Sequence, residues 1–148
     1  MSCLRVLTIL AAIILSTFLG QVAHADGQDK SIIGRWKFTK VLDSADISAL
    51  SDEQAEALIG QVFIIESHKI RFGNRSCDNP DFNVTVADRD KYLEEQFHAT
   101  AENLALPDQV IAVDVDCTTV FKKGPDKLLV FWKGVFFDAV RVRTPSKN

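Results

Sequence analysis

Two apolar runs, Lys127 to Trp132 and Val135 to Arg143, are separated only by Lys133-Gly134. A two-residue link between runs of this kind predicts an antiparallel pair joined by a tight turn. The same period-two alternation recurs upstream. Gly34 to Val41 sets Trp36 and Phe38 on one face and Arg35, Lys37 and Thr39 on the other. Phe82, Val84 and Val86 alternate with Asn83, Thr85 and Ala87, and Gln109 to Cys117 turns Ile111, Val113, Val115 and Cys117 inward. Gln61 to Glu66 is instead a dense apolar run (Val62, Phe63, Ile64, Ile65), the mark of a strand covered on both faces. Ser67-His68 turns it into Lys69 to Phe72. About seven strands result, with no repeat of motif length.

Two segments break the alternation. Leu50 to Gln54 reads as a helix start in which Ser51 and Gln54 form a capping box, with Leu58 and Ile59 as its apolar stripe and Gly60 as its stop. Asp88 to Leu104 places Leu93, Phe97, Ala101 and Leu104 at helical spacing, and Pro107 follows. Helices inserted in this way give no regular βαβ alternation, so the strands are expected to be antiparallel and to close into a small barrel or fold into a sandwich.

The first residues form an address. Met1 to Arg5 carries one positive charge, Val6 to Leu19 is apolar, and Ala23-His24-Ala25 has the small-x-small form that signal peptidase cuts. The reading is a signal peptide over residues 1–25 and a single domain over 26–148, periplasmic or secreted. The apolar run is too short for the ~20 residues that span a bilayer, so no membrane-spanning segment is expected. Removing the peptide takes away one positive charge, Arg5, and the formal −3 of the 148-residue chain becomes −4. That mild acidity argues against nucleic acid as a partner. Cys3 departs with the peptide. Cys77 and Cys117 remain, and an even number in an oxidising compartment predicts one disulfide, with loop closure contributing roughly 4 kcal/mol. The competing reading, a metal held by Cys77, Cys117, His68 and His98, lacks any short ligand spacing, so no metal is expected.

Catalytic signatures are missing. No nucleophile has a local pattern placing it beside His68 or His98, and no cofactor motif is present, so neither an enzyme nor a cofactor is expected. Asp114 and Asp116 share an outward face but lack the spacing of a calcium loop. Asn74-Arg75-Ser76 and Asn83-Val84-Thr85 have the form of glycosylation sequons, of use only in a eukaryotic host.

Gly34-Arg35-Trp36 resembles the G-x-W motif that opens the lipocalins and their calycin-type relatives. The runs Phe72 to Pro80 and Trp132 to Phe137 are also similar to small exported bacterial proteins of lipocalin-like shape. This resemblance implies a mainly β fold, a small antiparallel lipocalin-like barrel of seven to eight strands with two helical insertions. It also implies that Trp36 closes one end beneath an arginine of the last strand. Arg141 and Arg143 share one face there, and with Gly34 and Trp36 they form the implied structural set. Trp36, Phe38, Phe72 and Trp132 are the implied ligand-binding residues, although a barrel of this size can be filled by its own side chains.

Three function classes follow. The first is an exported binding protein for a small apolar ligand. The second is a protein-interaction module, for example an inhibitor of a secreted hydrolase such as lysozyme, acting through the loop Asn74 to Asp81. The third is an enzyme using scattered carboxylates. The binding protein leads, and a dry, filled interior would move the partner protein ahead of it.

Overall fold

Nine strands form a single antiparallel sheet in the computed structural model, which describes residues 28–143. The expected signal peptide, residues 1–25, lies outside the described residues. The strands are β1 (Gly34–Ser44), β2 (Val62–Ile65), β3 (Lys69–Phe72), β4 (Arg75–Asp78), β5 (Asn83–Asp88), β6 (Gln109–Asp114), β7 (Thr119–Gly124), β8 (Lys127–Trp132) and β9 (Val135–Arg141). Helix α1 (Asp52–Glu56) follows β1, and α2 (Arg89–Phe97) follows β5. The spatial order is β4-β3-β2-β1-β9-β8-β7-β6-β5, so every neighbour is consecutive in sequence except the pair β1 and β9.

This corrects the expected barrel in two respects. There are nine strands, not seven or eight; the additional ones are β4 and β7. The first is mostly polar, and the second has two apolar residues, Val120 and Phe121, between Thr119 and Lys122-Lys123-Gly124. The ladder is also open, with β4 and β5 as its edges. After β4 the chain enters Asn79 in the left-handed region (φ 51°) and then Pro80, which has no N–H to offer a partner strand. Single contacts instead tie the start of β5 to the β6–β7 connection and to the N-terminal segment. The amide of Asp81 donates to Asp116 Oδ2 at 2.8 Å. Gln28 bridges Asn83, and the Asp29 amide donates to the Phe82 carbonyl at 3.2 Å.

Alternation sends side chains into two separate cores. One joins Trp36, Phe38, Phe63, Phe72 and Phe137 to Val113, Val120, Leu128 and Val130. Because these come from both flanks of the sheet, the sheet curls around them. The other lies on the outer face, where Phe121, Leu129 and Phe136 pack under Leu93 of α2 and under Leu104 and Leu106 beyond it. Strands β8 and β9 are thus covered on both sides, which is why they read as continuous apolar runs. For β2 the expected double cover is not found: Phe63 and Ile65 are buried, whereas Val62 and Ile64 are only half-buried. Along β5 the core runs out. Phe82 is buried and Val84 half-buried, but Val86 is 66% exposed beside its register partner Ile111.

The caps follow the sequence. Gln54 N donates to Ser51 Oγ at 3.3 Å and Ser51 N to Gln54 Oε1 at 3.0 Å, closing the capping box of α1. Helix α2 starts at Asp88, whose carboxylate accepts from Lys91 N at 3.0 Å. It ends sooner than the apolar spacing suggests, because His98 turns left-handed (φ 49°) and Ala99 N reaches back to the Leu93 carbonyl. Leu104 therefore reaches the outer core from a turn rather than from a helix. Between β8 and β9, Lys133 (φ 53°) and Gly134 (φ 88°) make the tight turn. A Cβ on Gly134 would lie 2.5 Å from the Ile47 carbonyl oxygen, and the Ala49 amide donates to the Lys133 carbonyl at 2.9 Å, so segment 45–49 pins this turn. Among the described residues no helix is long and apolar enough to cross a membrane.

Candidate functional site

Aromatic residues fill the curl of the sheet. Phe38 stacks on Phe137 with centroids 4.6 Å apart and lies 4.7 Å from Phe72; Phe63 closes the group at 6.1 Å from Phe38. Phe38, Phe63 and Phe137 have no exposed surface. The interior therefore has no room for a long apolar ligand.

A pocket opens where this stack meets solvent, at the end carrying the β8–β9 turn. Ile70 and Phe72 point into it from β3, Trp132 from the end of β8, and Cys77 from β4, with Cys117 in the β6–β7 connection and Arg75, Ser76 and Lys133 at its edge. Its volume is about 280 Å³. The Trp132 ring stands edge-on to Phe72 at 5.3 Å and to Phe63 at 6.1 Å, so the floor is continuous with the filled core. Cys77 and Cys117 are neighbours here, but both are free thiols, and the bridge expected from the sequence is not formed in this structure. Burial, and then the adjacent Cys77, push the Cys117 thiol up to about 12. It stays protonated at neutral pH and is a weak nucleophile.

The opposite end is closed. Trp36 is 1% exposed, and its Nε1 donates to the Ile32 carbonyl at 2.8 Å. The guanidinium of Arg141 lies over the indole and donates from Nη1 to Ile33 O and from Nη2 to Ser31 O, both at 2.9 Å. Gly34 suits this position, since its φ of 152° is one that L side chains rarely adopt and a Cβ would meet Arg141 Nη1 at 2.5 Å. Lys122 clamps the preceding turn through Asp29 at 2.7 Å. Burial opposes the charge on Asp29, but hydrogen bonds from Lys122 and Ser31 outweigh it and hold the carboxyl below its usual range.

The four residues expected to bind ligand are thus divided. Phe72 and Trp132 line one pocket, Phe38 is sealed behind them, and Trp36, 1% exposed, plugs the opposite end, where it borders a separate outer concavity of about 400 Å³. Of the structural set, Gly34, Trp36 and Arg141 meet, whereas Arg143 is largely exposed and pairs with Asp126. Asp114 and Asp116 serve the backbone, accepting from the amides of Asp116 and Asp81. His98 lines a broad polar cleft with Asp90 and Glu94, while His68 sits in the β2–β3 turn; neither lines the pocket that holds the thiols. Among the described residues no group of His, Cys, Asp or Glu is arranged to hold a metal ion.

No family model, no curated protein and no solved structure matches this chain.

Sequence reasoning missed Ile70, Arg75 and Lys133 as pocket residues. Arg75 lies within the loop singled out for partner binding, and Lys133 lies in the predicted turn. Their convergence depends on the curl of the sheet, which joins β3 and β4 to a turn some 60 positions later in the chain.

Proposed function

We propose that this chain is an exported binding protein whose site is the pocket floored by Ile70, Phe72 and Trp132. The observation that carries this reading is an aromatic floor, open to solvent on one side and backed by a filled core on the other. Ile70 and Phe72 are already buried, and the half-buried Trp132 ring is the surface that gains by being covered. The volume of about 280 Å³ limits the occupant. Cavities of roughly 150 Å³ take benzene, and drug-sized ligands need about 300 Å³ or more. A one- or two-ring compound or a short alkyl chain fits; a long acyl chain does not. The stack of Arg141 on Trp36 supports the lipocalin-like ancestry of the sheet.

The filled interior argues for a partner protein, but the pocket lies outside that interior and offers a small ligand its own site, which keeps the ligand reading first. In the second reading a secreted partner inserts an apolar side chain into the same pocket beside the loop Asn74 to Asp81. The two readings share a site and differ in its occupant.

The test is calorimetric titration with 2-naphthalenemethanol, an uncharged two-ring probe. Saturable binding is expected, with quenching of Trp132 fluorescence and loss of affinity in Trp132→Ala. Absence of binding up to the solubility limit would overturn the small-ligand reading.

A further inference from the structure

We infer that the ligand of this pocket carries an anionic group, as a small aromatic or short-chain carboxylate does, and that Arg75 and Lys133 receive it at the rim. The inference rests on the pocket being a binding site and specifies the chemistry of what enters it. Its lining residues include two cations and no carboxylate. Neither Arg75 nor Lys133 makes an ion pair among the described residues.

The cations that face the other concavities behave differently. Arg89 in the polar cleft is held by Asp90 at 2.7 Å and Asp108 at 3.3 Å. At the closed end Lys122 is paired with Asp29 at 2.7 Å and Arg141 with Asp126 at 3.4 Å. Asp114 and Asp116 border Lys133 in an adjoining shallow concavity, but each has a carboxylate oxygen committed to a backbone amide.

A chain with a formal charge of −3 thus places two uncommitted positive charges around its aromatic-floored pocket. An apolar floor beneath a cationic rim matches an amphipathic anion whose ring or chain covers Trp132 and Phe72 while its carboxylate remains at the wet edge. There the anion costs little to desolvate and gains charge-assisted hydrogen bonds. The turn that carries Lys133 is fixed at the pocket edge, because its backbone carbonyl is held by Ala49 N at 2.9 Å and by Ser48 Oγ at 3.3 Å.

The test compares 2-naphthoate with its uncharged isostere 2-naphthalenemethanol on the same protein. The carboxylate should bind about five- to tenfold more tightly at low salt, with the gap narrowing as ionic strength rises. In the double variant Arg75→Gln, Lys133→Gln the gap between the two probes should close, with the carboxylate losing more affinity than the alcohol; both side chains are exposed, so the fold should tolerate the change. Equal affinity for the two probes, or a preference for the alcohol, would overturn the anionic inference and leave the pocket as a binding site. Binding of neither probe would overturn both. A gap that survives in the double variant would show that the anion is read elsewhere, and the assignment of Arg75 and Lys133 would fall.

Discussion

The guanidinium carbon of Arg141 lies 4.1 Å from the Trp36 ring centroid, and the two residues are direct register partners on β9 and β1. The stack thus sits on the one ladder that joins strands distant in sequence and holds the two flanks of the sheet together. Trp36→Ala should cost about 3–5 kcal/mol through lost burial and the cavity left behind. A double-mutant cycle with Arg141→Ala should show coupling of at least about 0.5 kcal/mol. Arg143→Ala should stay within about 0.5 kcal/mol, since that side chain is 80% exposed. Chemical denaturation of the five proteins (the parent, the two single variants and the double variant of the cycle, and Arg143→Ala) measures all three, and additivity between Trp36 and Arg141 would remove the stack as a stabilising element.

Leu93 has no exposed surface and anchors α2 on the outer face of the sheet. Leu93→Ala should destabilise by about 2–5 kcal/mol. Phe97 is half-buried but meets Phe131 at 4.7 Å and Phe121 at 5.5 Å, so its truncation should also be felt, less severely. Unchanged denaturation midpoints for both variants would mean that α2 is not a structural layer.

The clamp between Asp29 and Lys122 makes the closed end sensitive to acid. The folded carboxyl titrates below its ordinary value, so the fold favours its charged form. That contribution is present above the unfolded pKa of about 4 and is lost as pH falls through the folded value. Asp29→Asn should therefore be less stable than the parent near neutral pH by about 1 kcal/mol, with the difference shrinking as the pH is lowered below the ordinary carboxylate range. A difference independent of pH would show that the ion pair contributes nothing.

With Cys117 protonated, iodoacetamide should label it in the reduced native protein more slowly at pH 8 than it labels an unstructured cysteine peptide. Cys77→Ala removes the neighbouring thiol and should speed the reaction. Because Cys117 is itself solvent-exposed, a rate equal to that of the peptide would mean that its thiol is not held in the protonated form by its surroundings. The adjacency of the pair also supports the bridge expected for an oxidising compartment. Glutathione disulfide should convert the two thiols to one intramolecular disulfide, itself being reduced to two glutathione thiols. The product would be unreactive to iodoacetamide, and retention of both labels after oxidation would refute the bridge.

Much of the strand layout was legible because it depends on near neighbours. The period of two in β1 and β3, the turn at Lys133-Gly134 and the capping box at Ser51 are each written within a few residues. Strand β4 was not legible, because Arg-Ser-Cys-Asp has no apolar face and pairs only where β3 offers it an edge. The end of α2 was not legible either, since Ala101 and Leu104 keep helical spacing although the chain has already turned at His98.

The sequence by itself determined that the domain is antiparallel β, and its cysteine count put Cys77 and Cys117 together as a question; the pairing of Trp36 with an arginine of the last strand came only from the resemblance carried by Gly34-Arg35-Trp36. Local patterns carry this information because alternation decides which face each side chain takes. Only the tertiary structure decided which arginine covers Trp36, that the sheet stays open between β4 and β5, and that Phe38 fills the interior instead of lining a cavity. It alone brought Arg75 and Lys133 to one rim. These outcomes depend on how far the sheet curls and on which side chains reach the same volume, and both are properties of distances between residues far apart in the chain.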